Sequence, residues 1–82
     1  MTISFHRLLD ARGLNCPMPL INARKEIEKL APGEVLKVVA TDHGSVSDFK
    51  SWVKIAKNVE LLGQETESSG EKPLYVHYVK RL

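Results

Sequence analysis

Two segments of the 82-residue chain each carry a single apolar stripe at helical spacing, and a β-branched run separates them. In the first, Leu20, Ala23, Ile27 and Leu30 recur at i, i+3, i+7 and i+10, while Asn22, Lys25, Glu26, Glu28 and Lys29 occupy the other faces. In the second, Val46, Phe49, Val53 and Ala56 repeat the stripe, and Trp52 and Ile55 widen it. A helix with one apolar stripe must bury it against a partner layer. Val35 to Thr41 between them reads as a strand.

The flanks complete the order. Ile3, Phe5, Arg7 and Leu9 alternate with Ser4, His6, Leu8 and Asp10, which predicts a first strand, followed by a turn over Ala11 to Asn15. Pro17 opens the first helix and Pro32-Gly33 stops it. Ser45 and Asp48 have the spacing of a capping box at the second helix, with Asp in place of the preferred Glu. Asn58 suits the cap that ends that helix. Val59 to Thr66 and Leu74 to Lys80 predict two further strands, joined by a hairpin loop over Ser68 to Glu71. The order β-α-β-α-β-β predicts an α/β two-layer sandwich over residues 1–82. Both helices cover one face of a four-stranded mixed sheet, and the other face stays partly open.

Composition narrows the function classes. Apolar residues make up 43% and charged residues 27%, the mix of a globular domain. Twelve Lys+Arg against ten Asp+Glu leave a charge of +2, too even for a nucleic-acid footprint. The single cysteine excludes an intramolecular disulfide. Met1 to Leu9 lacks the long apolar stretch of a secretory signal, and no apolar run reaches membrane-spanning length. A cytoplasmic monomer is the expectation.

The cysteine stands in Gly13-Leu14-Asn15-Cys16-Pro17-Met18-Pro19. With Pro17 at the first helical position, Cys16 would be the helix cap. Free N–H groups and the positive end of the helix dipole favour a thiolate there, and Arg12 would add to that. Pro17 and Pro19 remove local donors and temper the shift. A modest shift suits a sulfur that must both attack and leave. Free cysteines are also among the most buried residues, so local chemistry alone leaves a structural reading open.

The stretch from Leu9 to Leu20, LDARGLNCPMPL, resembles the signature of the TusA/SirA-like sulfur-carrier family, and the similarity extends to Arg24-Lys25, Pro32-Gly33-Glu34, Thr41-Asp42 and Asp48. The resemblance implies the same β-α-β-α-β-β sandwich, like the C-terminal domain of bacterial translation initiation factor three. It implies that Cys16 carries sulfur as a persulfide, taken from a cysteine desulfurase or rhodanese-type donor protein and passed to a thiol-bearing acceptor protein. No metal or organic cofactor is implied. Asp10 and Gly13 would shape the turn that presents the thiol, with Pro17 and Pro19 as motif support. Arg12, Arg24 and Asp42 would contact partners; Arg24 lies about 12 Å along the helix from Cys16, beyond direct activation. Met18 replaces the acidic residue of members that serve tRNA 2-thiouridine synthesis. Gly44-Ser45-Val46 and Asp48-Phe49 look closer to members from dissimilatory sulfur oxidation, and the resemblance leaves both pathways open.

Two other function classes compete. A redox-sensing or regulatory interaction domain would use oxidation of Cys16 without sulfur transfer. An RNA-binding module would bind independently of Cys16, but Tyr75 and Tyr78 fall on opposite faces of one strand and offer no shared stacking platform. His6, His43 and His77 lack metal-ligand spacing to Cys16. His6 and His77 read as strand-face residues. His43 would approach the sulfur loop if the starts of both helices share one sheet edge. There it would serve as a proton donor or hydrogen-bond partner to the sulfur.

Overall fold

The computed structural model describes residues 4–15, 17–69 and 72–82. Its elements are β1 (Arg7–Ala11), α1 (Met18–Ile27), β2 (Val35–Ala40), α2 (Ser45–Ile55), β3 (Val59–Ser69) and β4 (Lys72–Arg81). They form a four-stranded sheet in the order β1-β2-β4-β3. β1 runs parallel to β2 with Leu9 opposite Val38 and Ala11 opposite Ala40. β2 and β3 both run antiparallel to β4. This is the expected mixed-sheet sandwich.

The register sorts side chains by face, because residues directly opposite each other share one. Leu36, Val38, Ala40 and Val79 join Ala11 and Val59 in the main core, where Ala23, Ile27, Leu30 and Phe49 meet them from the helix side. Both predicted stripes therefore cover the same sheet face. The other face carries a smaller cluster of Val35, Val76 and Tyr78. Although no helix covers it, Tyr78 is only 2% exposed. The Lys37 ammonium lies 5.1 Å from the Phe5 ring centre and 5.8 Å from that of Tyr78, so its stem screens the tyrosine.

Several boundaries differ from expectation. β1 starts at Arg7 and runs on through Ala11, which the sequence assigns to a turn. Ala11 is fully buried, and a small residue fits where the strand passes beneath the helices. His6 lies before the strand, and its Nδ1 accepts a hydrogen bond from the Val35 amide at 3.0 Å. α1 stops at Ile27 rather than Leu30; Lys29 and Leu30 donate to carbonyls three residues back, which tightens the last turn. The Arg81 guanidinium, from the last strand, donates to the carbonyls of Ile27, Glu28 and Leu30 and caps this end.

The expected capping box at α2 does not form: Gly44 is the cap, and no side chain caps the helix. The Ser45 hydroxyl instead points inward to His77. Ile55 does not widen the buried stripe, being 80% exposed. The hairpin strands outrun the predicted ones, β3 reaching Ser69 and β4 beginning at Lys72. Gly70 and Glu71 lie outside the described residues.

Candidate functional site

Parallel pairing of β1 and β2 brings their following loops to one sheet edge, since Ala11 and Ala40 are partners at its end. The first loop turns at once: the Leu14 amide donates to the Ala11 carbonyl at 3.3 Å. Gly13 sits at φ +82°. An added Cβ would meet nothing within 4 Å, so the glycine is required by its backbone angle alone. Its amide donates to the Thr41 Oγ1 at 3.0 Å, which ties the two loops together. Thr41 was not among the expected site residues, although Thr41-Asp42 is one of the pairs that carry the family resemblance.

This tie gives a direct expectation. Thr41→Val keeps the side-chain shape but leaves the Gly13 amide without its partner, and should lower stability by about 1 kcal/mol. Amide exchange at Gly13 should speed up in the variant. Unchanged protection at Gly13 would show that the loops hold their places independently.

Asp10 and Arg12 form a bidentate pair. Arg12 Nε donates to Asp10 Oδ1 at 2.9 Å and its terminal nitrogen to Oδ2 at 3.0 Å, while the Arg12 amide also donates to Oδ1. These bonds hold the Asp10 carboxyl down at about 2. The Arg12 guanidinium is thus turned back onto the carboxylate two residues earlier, in an exposed ion pair. The Asp10 carboxylate thereby bridges the backbone and the side chain of the first turn residue after β1.

Cys16 lies outside the described residues, and its flanks define the segment that carries it. The Met18 amide donates to the Asn15 carbonyl at 2.8 Å. The first helical bond runs from the Ile21 amide to the Pro17 carbonyl at 3.0 Å. Pro17 is thus the cap of α1 and Met18 its first residue, one position later than expected. Pro19 falls in the first turn, where its missing N–H leaves no helical bond unmade. Pro19 is also fully buried, whereas Pro17 is exposed.

The remaining predicted residues divide. Asp42 sits on the loop after β2, where its carbonyl accepts from the Ser45 amide at 3.1 Å. Arg24 stands apart on exposed α1. With Leu20, Trp52, Ile55 and Ala56 it lines a largely apolar groove of about 320 Å³ between the helices. Ile55 is exposed because it walls this groove. Among the described residues, no group of three His, Cys, Asp or Glu could hold a metal ion. No helix of the described residues is long and apolar enough to cross a membrane.

Sequence comparison matches residues 7–80 to the family described as Sulfurtransferase TusA. The chain belongs to the TusA family. A sulfur carrier protein TusA of Allochromatium vinosum is 46% identical over 63 residues, covering 77% of this chain and 82% of that protein. The sulfur carrier protein TusA of Pseudomonas aeruginosa is 38% identical, covering 99% and 96%. The crystal structure of a SirA-like protein from Desulfitobacterium hafniense superposes with a TM-score of 0.67 at 23% identity, over 90% of this chain and 96% of that one. At that identity it supports the fold alone, and it agrees with the two-layer sandwich. For a TusA member, the edge built by Gly13, Thr41 and the Asp10–Arg12 pair is where the motif segment leaves the sheet.

Proposed function

We propose that this protein is a sulfur carrier that accepts sulfane sulfur as a Cys16 persulfide and relays it to a thiol-bearing partner protein. The observation that carries the reading is the family match over residues 7–80, which contains the chain's single cysteine. In loading, the Cys16 thiolate attacks the outer sulfur of a donor persulfide. The donor S–S bond breaks, and the donor thiol leaves with the electron pair: donor-S–SH + Cys16–SH gives donor-SH + Cys16–S–SH. In unloading, an acceptor thiolate attacks the same outer sulfur and Cys16 is the leaving group. One cysteine suffices because the other thiols belong to partners, and the exchange needs no metal, redox cofactor or net oxidant.

Two features support a relay between proteins. Arg12, Gly13, Asn15, Pro17 and Met18, which flank the cysteine in sequence, are all exposed and open to two different partners. The groove along α1 and α2 offers an apolar contact with Arg24 at its margin, consistent with docking by a donor of the cysteine desulfurase or rhodanese type and by an acceptor. The protein is then a stoichiometric shuttle rather than an enzyme with a bound substrate.

The test is intact mass spectrometry of the reduced chain after incubation with cysteine desulfurase plus cysteine, and separately with rhodanese plus thiosulfate. Wild type should gain a sulfur atom that reductant removes, and Cys16→Ala should gain none. A folded, reduced wild type that no donor loads would overturn the carrier reading and favour a redox-sensing role for the thiol.

A further inference from the structure

We propose that the sheet face left uncovered by the helices is a contact surface for a second copy of this chain. This contact is independent of the persulfide reading and uses no group of the motif segment. Side chains alternate across a sheet, so the register identifies what the open face presents. Leu8 of β1, Lys37 of β2 and Tyr78 of β4 stand in one row, which ends on β3 at the bulge between Leu61 and Gly63. Leu61 packs into the helix-side core, so Leu62 turns to the open face. In the next row Val39 and Val76 stand side by side, flanked by Asp10 and Glu65 on the outer strands. Leu8 is 55% exposed and Leu62 38%. Phe5, 41% exposed, joins the row through its contact with Lys37.

These rows are self-complementary. The strand order is β1-β2-β4-β3, so a two-fold axis parallel to the strands and centred between β2 and β4 exchanges β1 with β3 and β2 with β4. Leu8 of one copy then meets Leu62 of the other, and Val39 meets Val76. Each pair forms twice, as a two-fold contact requires. Lys37 falls opposite Tyr78 of the second copy, and its ammonium is already held over the Phe5 and Tyr78 rings of its own chain. Asp10 meets Glu65 at the margin, where the Arg12 guanidinium on Asp10 supplies the opposite charge. An axis across the strands would instead set Glu60 against Glu67 and Leu8 against Asp10, so the pattern favours the first arrangement.

The size also fits. The molecule measures 36 × 26 × 19 Å, and the shortest extent is the depth of two layers. The open face therefore offers room for one side of a standard interface, about 800 Å² per partner. A narrow apolar strip between charged margins suits a dimer that separates on dilution, and the monomer expected from the sequence is then the dilute form. With the axis parallel to the strands, the Ala11 and Ala40 ends of both sheets point the same way. Both helix layers, with their grooves, stay outermost and open to other proteins.

Sedimentation equilibrium of the full reduced chain, from about 10 μM to about 1 mM, tests this. Cys16→Ala is run alongside to separate the contact from disulfide pairing. Wild type and Cys16→Ala should show the same concentration-dependent dimer. Leu8→Glu and Leu62→Glu each place a carboxylate in the apolar strip and should weaken association by about tenfold or more. Their urea midpoints should stay near wild type, because both side chains are exposed in the single copy. Ile55→Glu, on the helix layer, should leave association unchanged. A chain that stays monomeric throughout overturns the proposal. So does a dimer indifferent to both leucine substitutions, or one lost in Ile55→Glu or Cys16→Ala.

Discussion

Phe49→Ala is expected to lower the free energy of unfolding by about 3–5 kcal/mol, the range for deleting a buried aromatic ring. Phe49 is fully buried near the middle of α2. It stacks on His77 at 4.3 Å with the rings nearly parallel and meets Trp52 edge-on at 5.9 Å. The ring thus packs against the sheet on one side and α2 itself on another, so an alanine leaves a void that rigid neighbours cannot fill. Domains of this size have total stabilities of about 5–15 kcal/mol, so the variant should approach its unfolding midpoint without denaturant at the low end of that range. Phe49→Leu keeps most of the volume and should cost less than about 1.5 kcal/mol. Urea titration followed by Trp52 fluorescence measures both. A loss below 1 kcal/mol for Phe49→Ala would mean that α2 is held mainly by its ends rather than by this ring. The function is exposed to the result, because α2 carries the loop of Thr41 and His43 on its N-terminal side.

The element order was legible because the stripes and the β-branched run each report a need for burial. Ala23, Ile27 and Phe49 are buried where their periodicity placed them. Periodicity does not report what a residue will meet. Ile55 fits the α2 stripe by spacing, yet it walls an open groove between the helices. Ser45 fits a cap by type, yet a buried histidine on β4 claims its hydroxyl. Arg81 drew no reading from its neighbours in sequence, and only the return of β4 beside the end of α1 shows it as that helix's cap. Each miss is a partner distant in sequence, which local patterns cannot supply.

The candidate site divides the same way. Gly13 was legible because a positive φ has a residue preference, whereas Asp10 entered only through the family resemblance, and its bond to the Arg12 amide is a detail of the folded turn. The pairing of Arg12 with Asp10 was missed, although the two are only two residues apart, because the geometry of the turn decides whether the side chain folds back or extends. The Thr41 tie was missed because it depends on the parallel pairing of β1 with β2. The role proposed for Cys16 comes from the motif and the family match, and the described residues supply the edge around it.

The buried network behind α2 sets a second large expectation, that the fold loses stability as pH falls from neutrality to about 4. Gln64 Nε2 lies 3.0 Å from the Val46 carbonyl and 3.1 Å from His77 Nδ1. An amide nitrogen can only donate, so His77 Nδ1 accepts, and Nε2–H donates to Ser45 Oγ at 2.9 Å. The ring is therefore satisfied as neutral imidazole, and a proton on Nδ1 would face the Gln64 amide hydrogens. Burial pushes the His77 pKa from 6.5 down to about 4. Between those values the unfolded chain binds a proton that the folded chain refuses. The stability is fully present above pH 6.5 and declines as pH falls toward 4, by about 3 kcal/mol at the lower end. Carboxylates titrate over part of this range, so the reading is the difference from His77→Gln, which lacks the ionisable ring. Urea midpoints between pH 7 and pH 4 should fall more steeply for wild type than for His77→Gln. Parallel curves would mean that the ring takes up its proton inside the folded state. Because Ser45 is the first residue of α2, acid that breaks this network also releases the helix start from the sheet, and the His43 loop should be the first to gain amide exchange.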